Sequence, residues 1–89
     1  MKIKISIPND YGSKERESMA IEELYDGDRE ACEGDQGRLF FDHLAEIAED
    51  AGLKFFESTD FGNIWVGPKK AVEKAKTTLP AWAEFGEIE

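Results

Sequence analysis

Residues 53–67, LKFFESTDFGNIWVG, decide the class of fold that this chain adopts. Residues 53–58 and 63–67 are rich in aromatic and β-branched side chains, which favour extended strands. Residues 59–62, TDFG, carry the Asp and Gly that are typical of a turn. We therefore predict a β-hairpin, whose two strands pair antiparallel.

A helix is predicted on each side of this hairpin. Residues 38–51 carry apolar side chains at positions i, i+4, i+7 and i+11 of one helical face, and Gly52 provides a stop. Residues 68–79 form the second helix, which begins at Pro68 and is ended by Pro80. The apolar stripes are Phe40, Leu44, Ile47 and Ala51 in the first helix and Val72, Ala75 and Leu79 in the second. Helices that flank an antiparallel hairpin indicate the α+β class.

The N-terminal part of the chain adds one strand and one helix. Residues 2–7, KIKISI, alternate Ile with Lys or Ser, which predicts a strand with all three isoleucines on one face. Ser13 is a candidate N-cap for a charged helix that continues to about Tyr25. The apolar stripe of this helix is Ala20, Ile21, Leu24 and Tyr25.

Two further segments have weaker patterns. Residues 26–37 contain three glycines among many acids, so we expect an irregular loop there, with a short helical turn at residues 30–33. Residues 81–89 provide either a short last strand or a segment that packs Trp82 and Phe85 against the core.

The order of these elements predicts one α+β domain of 89 residues. Its helices pack on one face of an antiparallel sheet, and a ferredoxin-like β-α-β-β-α-(β) arrangement is the leading prediction. The residues that we expect to face the helices are Ile3, Ile5, Ile7, Ile64 and Val66. The residues that we expect on the opposite face are Lys2, Lys4, Phe56 and Trp65.

An uncovered Trp65 beside Phe56 would be a contact surface, because large aromatic side chains dominate the hot spots of interfaces. Such a surface would suit a small regulatory or ligand-binding domain, and it could bind a small molecule or a second copy of the chain. The alternative is that the C-terminal segment folds over this face of the sheet and buries both side chains.

The charge of the chain excludes one class of partner and favours another. Eleven Lys and Arg against twenty Asp and Glu give a formal net charge of −9, so the protein repels the phosphate backbone of nucleic acids. The same field attracts cationic surfaces, including the grooves in which other proteins hold DNA or RNA. Cys32 is the single cysteine, residues 1–10 lack the apolar core of a signal peptide, and no stretch approaches a membrane span. We therefore expect a cytoplasmic protein with no disulfide bond and no contact with a membrane.

A calcium site is suggested by one short stretch. Residues 26–28 (DGD) and 31–33 (ACE) resemble the end of the excalibur calcium-binding motif, D-x-D-x-D-G-x-x-C-E. Leu24 stands where that motif has its first aspartate, and Arg29 replaces its turn glycine. An EF-hand pattern also fails, because the sixth and twelfth positions counted from Asp26 are an alanine and a glycine. We therefore expect no metal ion and no other cofactor.

Cys32 and His43 are the only pair that suggests nucleophilic catalysis. A thiolate needs a nearby base or a positive environment, and the net charge of −9 opposes its formation. His43 lies at the edge of the apolar stripe of the 38–51 helix, which is typical of a half-buried structural histidine. We therefore predict a protein that is not an enzyme and has no catalytic residues.

Most of the negative charge lies in one half of the sequence. Residues 11–37 hold nine Asp or Glu against three Lys or Arg, a net charge of −6, and residues 38–51 add a net −3. A dense array of carboxylates can stand in for a row of phosphates and fill a cationic groove. The carboxylates that we expect to contact the partner are Glu22, Glu23, Asp26, Asp28, Glu30, Glu33 and Asp35. The alternative is that these acids form only a solubilising coat.

Small size, one domain, high negative charge and the absence of catalytic motifs resemble the anti-CRISPR proteins and DNA mimics that phages encode. The resemblance is one of size and composition. It implies a non-enzymatic inhibitor that docks on a basic, nucleic-acid-binding surface of a partner protein and blocks it. The expected compartment is then the cytoplasm of the host cell.

Overall fold

The computed structural model describes residues 1–8 and 14–88, which form four helices and a four-stranded sheet. The strands are β1 (Lys2–Ser6), β2 (Lys54–Thr59), β3 (Gly62–Val66) and β4 (Glu84–Ile88). The helices are α1 (Lys14–Tyr25), α2 (Arg29–Asp35), α3 (Arg38–Ala51) and α4 (Lys69–Thr78). Within the described ranges, each helix is too short or too polar to cross a membrane.

The strands pair antiparallel throughout, in the order β2-β3-β1-β4. The predicted hairpin is β2 and β3, and the predicted α+β class is confirmed. The strand β3 lies between β1 and β2, although three helices join β1 to β2 along the chain. The ferredoxin-like assignment itself stays a prediction, because it was made for fewer helices at this crossover.

The helices cover one face of the sheet and bury a single apolar cluster there. Ile3 and Ile5 of β1 are 0% and 1% exposed, and they pack in the same cluster as Phe40 of α3 and Val72 of α4. The buried members are completed by Ala20, Ile21, Cys32, Leu44, Ala48, Leu53, Trp65, Ala71, Ala75 and Trp82. Burial of these apolar side chains is the main favourable term in folding, so the cluster fixes which face of each helix points inward.

The predicted helices are confirmed in position. The helix α3 spans Arg38–Ala51 and ends at Gly52, whose φ of 99° is a left-handed conformation that glycine adopts without strain. The helix α4 begins directly after Pro68, and α1 ends at Tyr25 as expected. The proposed N-cap of α1, Ser13, lies outside the described residues.

The segment predicted as an irregular loop contains more helix than expected. Seven residues, Arg29–Asp35, form α2, whereas the prediction was one short turn at residues 30–33. The helix begins because the Asp28 side chain accepts a hydrogen bond from the backbone N–H of Ala31. It ends at Gln36, whose φ of 56° reverses the chain before α3.

The placement of Trp65 is the main correction. Trp65 pairs directly with Ile3, and directly opposed residues project from the same face of a sheet. It is 2% exposed and belongs to the core, so the prediction that it lies on the opposite face is wrong. Its neighbours Ile64 and Val66, predicted to face the helices, pair with lysines of β1 and lie on the opposite face instead. Residues 64–66 are all apolar, so the sequence lacks the alternation of polar and apolar side chains that would identify which of them is buried.

The C-terminal residues take both of their predicted roles. The strand β4 pairs with β1, while Trp82 just before it is 2% exposed and Phe85 is half-buried against the core. This segment extends the sheet at its edge and does not fold over the face that carries Ile64 and Val66. In residues 1–8 and 14–88, no helix covers that face.

Candidate interaction surface

The seven predicted carboxylates lie at the end of α1, in the following turn and along α2. Six of them are exposed and Asp35 is half-buried. The structure divides them by their contacts. Three accept hydrogen bonds that hold the fold together, and four do not.

Asp28 and Asp35 position α2 at its two ends. The Asp28 carboxylate accepts a hydrogen bond of 3.0 Å from the N–H of Ala31, which satisfies a donor that the first turn leaves unpaired. The Asp35 carboxylate accepts a hydrogen bond of 2.7 Å from the hydroxyl of Tyr25. Both carboxylates are thus structural, although Asp28 also keeps its charge at the surface.

Tyr25 connects three helices through its hydroxyl group. This oxygen donates to Asp35 of α2 and accepts a hydrogen bond of 3.0 Å from the N–H of Leu39 in α3, while Tyr25 itself ends α1. Its ring packs edge-on against Phe40, with ring centres 5.5 Å apart. Burial, followed by the hydrogen bond to Asp35, raises the pKa of Tyr25 to about 12. This hydroxyl thus links α2 to both α1 and α3, in addition to the ion pair between Arg29 and Glu17 and the burial of Cys32 in the core.

Glu23 has a similar structural task on α1. Its carboxylate accepts a hydrogen bond of 2.5 Å from the indole Nε1 of Trp82, whose side chain is 2% exposed. A buried indole N–H loses its bond to water on folding, and without an acceptor it stays unpaired, as the buried Nε1 of Trp65 does among the described residues. Glu23 supplies the acceptor for Trp82 and ties α1 to the segment before β4.

The other four carboxylates belong to Glu22, Asp26, Glu30 and Glu33, which we call the free carboxylates. Among the described residues, none of them forms a side-chain hydrogen bond or an ion pair. In α2, Glu30 lies roughly 200° around the helix axis from the buried Cys32, so it points away from the core. The free carboxylates are therefore available to a partner.

Within the part of the chain that the structure describes, few of the surrounding acids are in ion pairs. The described residues form three ion pairs: Arg16 with Glu84, Arg29 with Glu17 and Arg38 with Asp42. The last of these has an N–O distance of 3.7 Å between side chains that are mostly exposed, so its contribution is small. The free carboxylates therefore stand in a region whose net charge stays strongly negative.

Of the two aromatic residues that were predicted to contact a partner, one is exposed and the other is buried. Phe56 is 46% exposed, and the Lys2 ammonium lies 4.1 Å from the centre of its ring. Trp65 packs edge-on against Phe55 on the side of the sheet that the helices cover, with ring centres 5.7 Å apart. Trp65 is thus inaccessible to a partner, whereas Phe56 remains a candidate contact residue.

The residues considered for chemistry lie in structural surroundings. Burial and the nearby Glu17 carboxylate raise the pKa of the Cys32 thiol, which opposes the thiolate that a nucleophile needs. His43 packs against Trp82, with ring centres 6.0 Å apart. In residues 1–8 and 14–88, no three His, Cys, Asp or Glu side chains come together in a way that could hold a metal ion.

Tyr25 and Trp82 are the site residues that the sequence interpretation missed. Each is an aromatic residue with one polar group, and such a group usually finds a hydrogen-bond partner when its ring is buried. The buried Nε1 of Trp65 is an exception among the described residues. In a chain with twenty acids, that partner is readily a carboxylate. The sequence therefore indicates that Tyr25 and Trp82 pair with carboxylates, but it does not identify which acid accepts each hydrogen bond.

Comparison of the chain with protein-family models, with curated proteins and with solved structures gives no match. The charges and contacts of the surface are therefore the observations from which a function can be proposed.

Proposed function

We propose that this protein is a non-enzymatic inhibitor that docks its acidic helical surface on a basic, nucleic-acid-binding surface of a partner protein. One observation carries the proposal. The free carboxylates Glu22, Asp26, Glu30 and Glu33 have no hydrogen-bond or ion-pair partner among the described residues. The three other predicted acids, Glu23, Asp28 and Asp35, accept hydrogen bonds that hold α1 and α2 in place. Carboxylates that served only solubility would not need to be held in a fixed arrangement.

The fixed arrangement of the helices reduces the entropic cost of binding. A partner that binds a fixed array of charges does not have to order flexible side chains and loops first. The bonds at both ends of α2 and the Tyr25 hydroxyl hold this short helix in one orientation. The free carboxylates are thus held in positions from which they can enter a cationic groove, as a row of phosphates on a nucleic acid does.

Electrostatic repulsion within the array also favours the complex. Like charges that crowd one surface destabilise the free protein slightly, and a cationic partner relieves this repulsion. Such attraction acts mainly on the rate of association, and salt screens it over about 8 Å at physiological ionic strength. The proposed partner is a nucleic-acid-binding protein, so we propose the cytoplasm as the compartment, that of the host if the gene is carried by a phage.

The test compares the wild type with a variant in which all four free carboxylates are neutral: Glu22→Gln, Asp26→Asn, Glu30→Gln and Glu33→Gln. A control removes the same number of charges from other exposed acids, Asp42→Asn, Glu46→Gln, Glu49→Gln and Asp50→Asn of α3. Immobilised proteins capture partners from a bacterial lysate, and mass spectrometry identifies them. Affinity and association rate are then measured for the purified partner across a salt series.

We expect the wild type and the α3 control to capture one basic protein that the neutral variant loses. The neutral variant should associate more slowly, and DNA or RNA should compete with the wild type for the partner. If the neutral variant binds as the wild type does, or if salt makes no difference, the free carboxylates are only a solubilising coat.

A further inference from the structure

The sheet face opposite the helices is a second surface, with a different chemistry. We call it the open face and define it by Lys2, Lys4, Lys54, Phe56, Ile64, Val66 and Ile88. Among the described residues, its three aliphatic side chains take no part in the hydrophobic core. Phe56 is 46% exposed, and the three aliphatic residues are half-buried. The open face therefore presents apolar area to solvent beside three lysines.

One row of this face alternates cationic and apolar side chains. The strand register places Lys54 beside Val66, Val66 beside Lys2 and Lys2 beside Ile88. The row thus reads cation, apolar, cation, apolar across all four strands. A shallow depression of 460 Å³ lies at its β1 and β4 end and is lined by Met1, Lys2, Val66, Glu87 and Ile88, so one acid and one lysine border it.

The charge of the open face differs in sign from that of α1, α2 and α3, whereas α4 is basic like the open face. Lys2, Lys4 and Lys54 project from it, and Glu57 and Glu84 are the acids that the register places there. Glu84 is already paired with Arg16 of α1. The lysines are therefore in excess on this face, in a protein whose net charge is −9.

We propose that the open face binds a short acidic segment of another protein, in which carboxylates alternate with apolar side chains. The carboxylates meet the lysines of the row, and an apolar side chain enters the depression beside Val66 and Ile88. The Lys2 ammonium already lies over the Phe56 ring, so an apolar side chain next to the carboxylate that reaches Lys2 can pack against this exposed aromatic residue. This surface lies across the sheet from the free carboxylates, and the proposal does not depend on the function proposed for them.

The area of the open face favours a short segment over a second copy of the chain. Four strands of about five residues cover roughly 17 by 19 Å, or on the order of 300 Å². A stable protein dimer buries about 800 Å² on each partner. Two open faces packed together would also place the lysines of both copies in one interface with too few acids to pair with them, which is costly.

The net charge argues against the other anionic occupants. A nucleic acid or an anionic membrane is an extended array of negative charge, and it interacts with the field of the whole protein. A short peptide that carries a few carboxylates interacts mostly with the nearest lysines, because salt screens the more distant acids. The open face is therefore suited to a segment of protein.

The test uses a synthetic peptide of sequence Glu-Glu-Leu-Leu-Glu-Glu-Leu-Leu, which shows alternating carboxylates and leucines on either side when extended. The ¹⁵N-labelled wild-type protein is titrated with it, and backbone amide shifts are followed by NMR. Peptides with Gln or Lys in place of Glu are the controls. Oligothymidine and vesicles of anionic phospholipid are titrated in parallel, and sedimentation gives the oligomeric state.

We expect saturable binding with a Kd below about 1 mM, with shifts confined to β1–β4 and none from the control peptides. Lys2→Gln and Lys54→Gln should each weaken binding roughly two- to fivefold, and Phe56→Ser about tenfold. Lys70→Gln, which removes an exposed lysine of α4, should leave the affinity unchanged. Each variant is used only if its circular dichroism matches the wild type, and the two lysine variants keep the test decisive if Phe56→Ser does not fold.

Three results would overturn the proposal. The first is no binding of the acidic peptide, or shifts located on the helices. The second is equal or tighter binding of oligothymidine or vesicles at the same face. The third is a dimer in solution that dissociates in Phe56→Ser, since the occupant would then be a second copy of the chain.

Discussion

The indole Nε1 of Trp82 donates a hydrogen bond to the Glu23 carboxylate, and this bond joins the acidic surface to the core. Glu23 is itself exposed, whereas the ring of Trp82 packs at 5.6 Å from Phe40 inside the apolar cluster. One of the acids expected to contact a partner therefore also satisfies a buried donor. Its two possible roles are separable by substitution.

Glu23→Ala should destabilise the protein by about 1–2 kcal/mol, because it leaves the buried indole N–H without an acceptor. Glu23→Gln should cost less, since its amide oxygen can accept the same bond. Glu22→Ala, at an exposed neighbour outside this bond, is the matched control and should change stability by less than about 0.5 kcal/mol. Urea unfolding followed by Trp fluorescence measures all three. Equal stability of the Ala and Gln variants would show that the bond contributes nothing.

Trp65→Ala should lower the free energy of unfolding by about 3–5 kcal/mol, because the side chain is 2% exposed and its removal leaves a large cavity. Phe56→Ala removes an aromatic side chain that is 46% exposed and should cost less than about 1 kcal/mol. Thermal unfolding by circular dichroism gives both values. A small effect of Trp65→Ala would mean that the strand register described here is incorrect.

Two glycines should respond to alanine in opposite ways. At Gly62, a Cβ would lie 2.2 Å from the backbone oxygen of Ile5, so Gly62→Ala forces the β1–β3 pair apart at a cost of about 1–3 kcal/mol. At Gly34 in α2, no atom lies within 4 Å of the added Cβ. Gly34→Ala should stabilise the protein by about 0.5–1 kcal/mol, because alanine has the higher helix propensity. Calorimetric melting temperatures that shift in the same direction for both variants would contradict the prediction.

Stability should fall in alkali through the Tyr25 hydroxyl. The pKa of Tyr25 is raised from 10.0 to about 12, so the folded state favours the neutral phenol. Its contribution to stability is complete below pH about 10 and is lost as the pH rises through about 12. Tyr25→Phe lacks this group, so its unfolding free energy should depend less on pH between these values. At neutral pH it should be about 1–2 kcal/mol less stable than the wild type, because the bonds to Asp35 and Leu39 are gone.

The comparison at high pH is made by urea unfolding of both proteins at several pH values. Other groups that titrate in this range are common to both and cancel in the difference. The absorbance of tyrosinate provides an independent measurement, since a phase near pH 12 should be present in the wild type and absent from Tyr25→Phe. A difference in stability that does not change with pH would show that the hydroxyl is not protected on folding.

Local patterns in the sequence determined the elements of this protein. The apolar spacing of residues 38–51 and the glycine after it predicted α3 to the residue, because a helix is formed by contacts between residues three or four apart. The hairpin of β2 and β3 followed from its turn residues in the same way. The net charge and its concentration in the first half of the chain are also properties of the sequence alone.

Tertiary contacts decided what local patterns left open. Residues 64–66 are all apolar, so only the pairing of β3 with β1 determined that Trp65 is buried and that its neighbours face solvent. Among seven carboxylates of similar local sequence, Glu23 is structural because Trp82, 59 residues further along the chain, lies against it. The sequence shows which side chains carry charge. Their hydrogen-bond partners lie in elements that are distant along the chain, so which acids hold the fold together and which remain free at the surface is decided only when those elements pack.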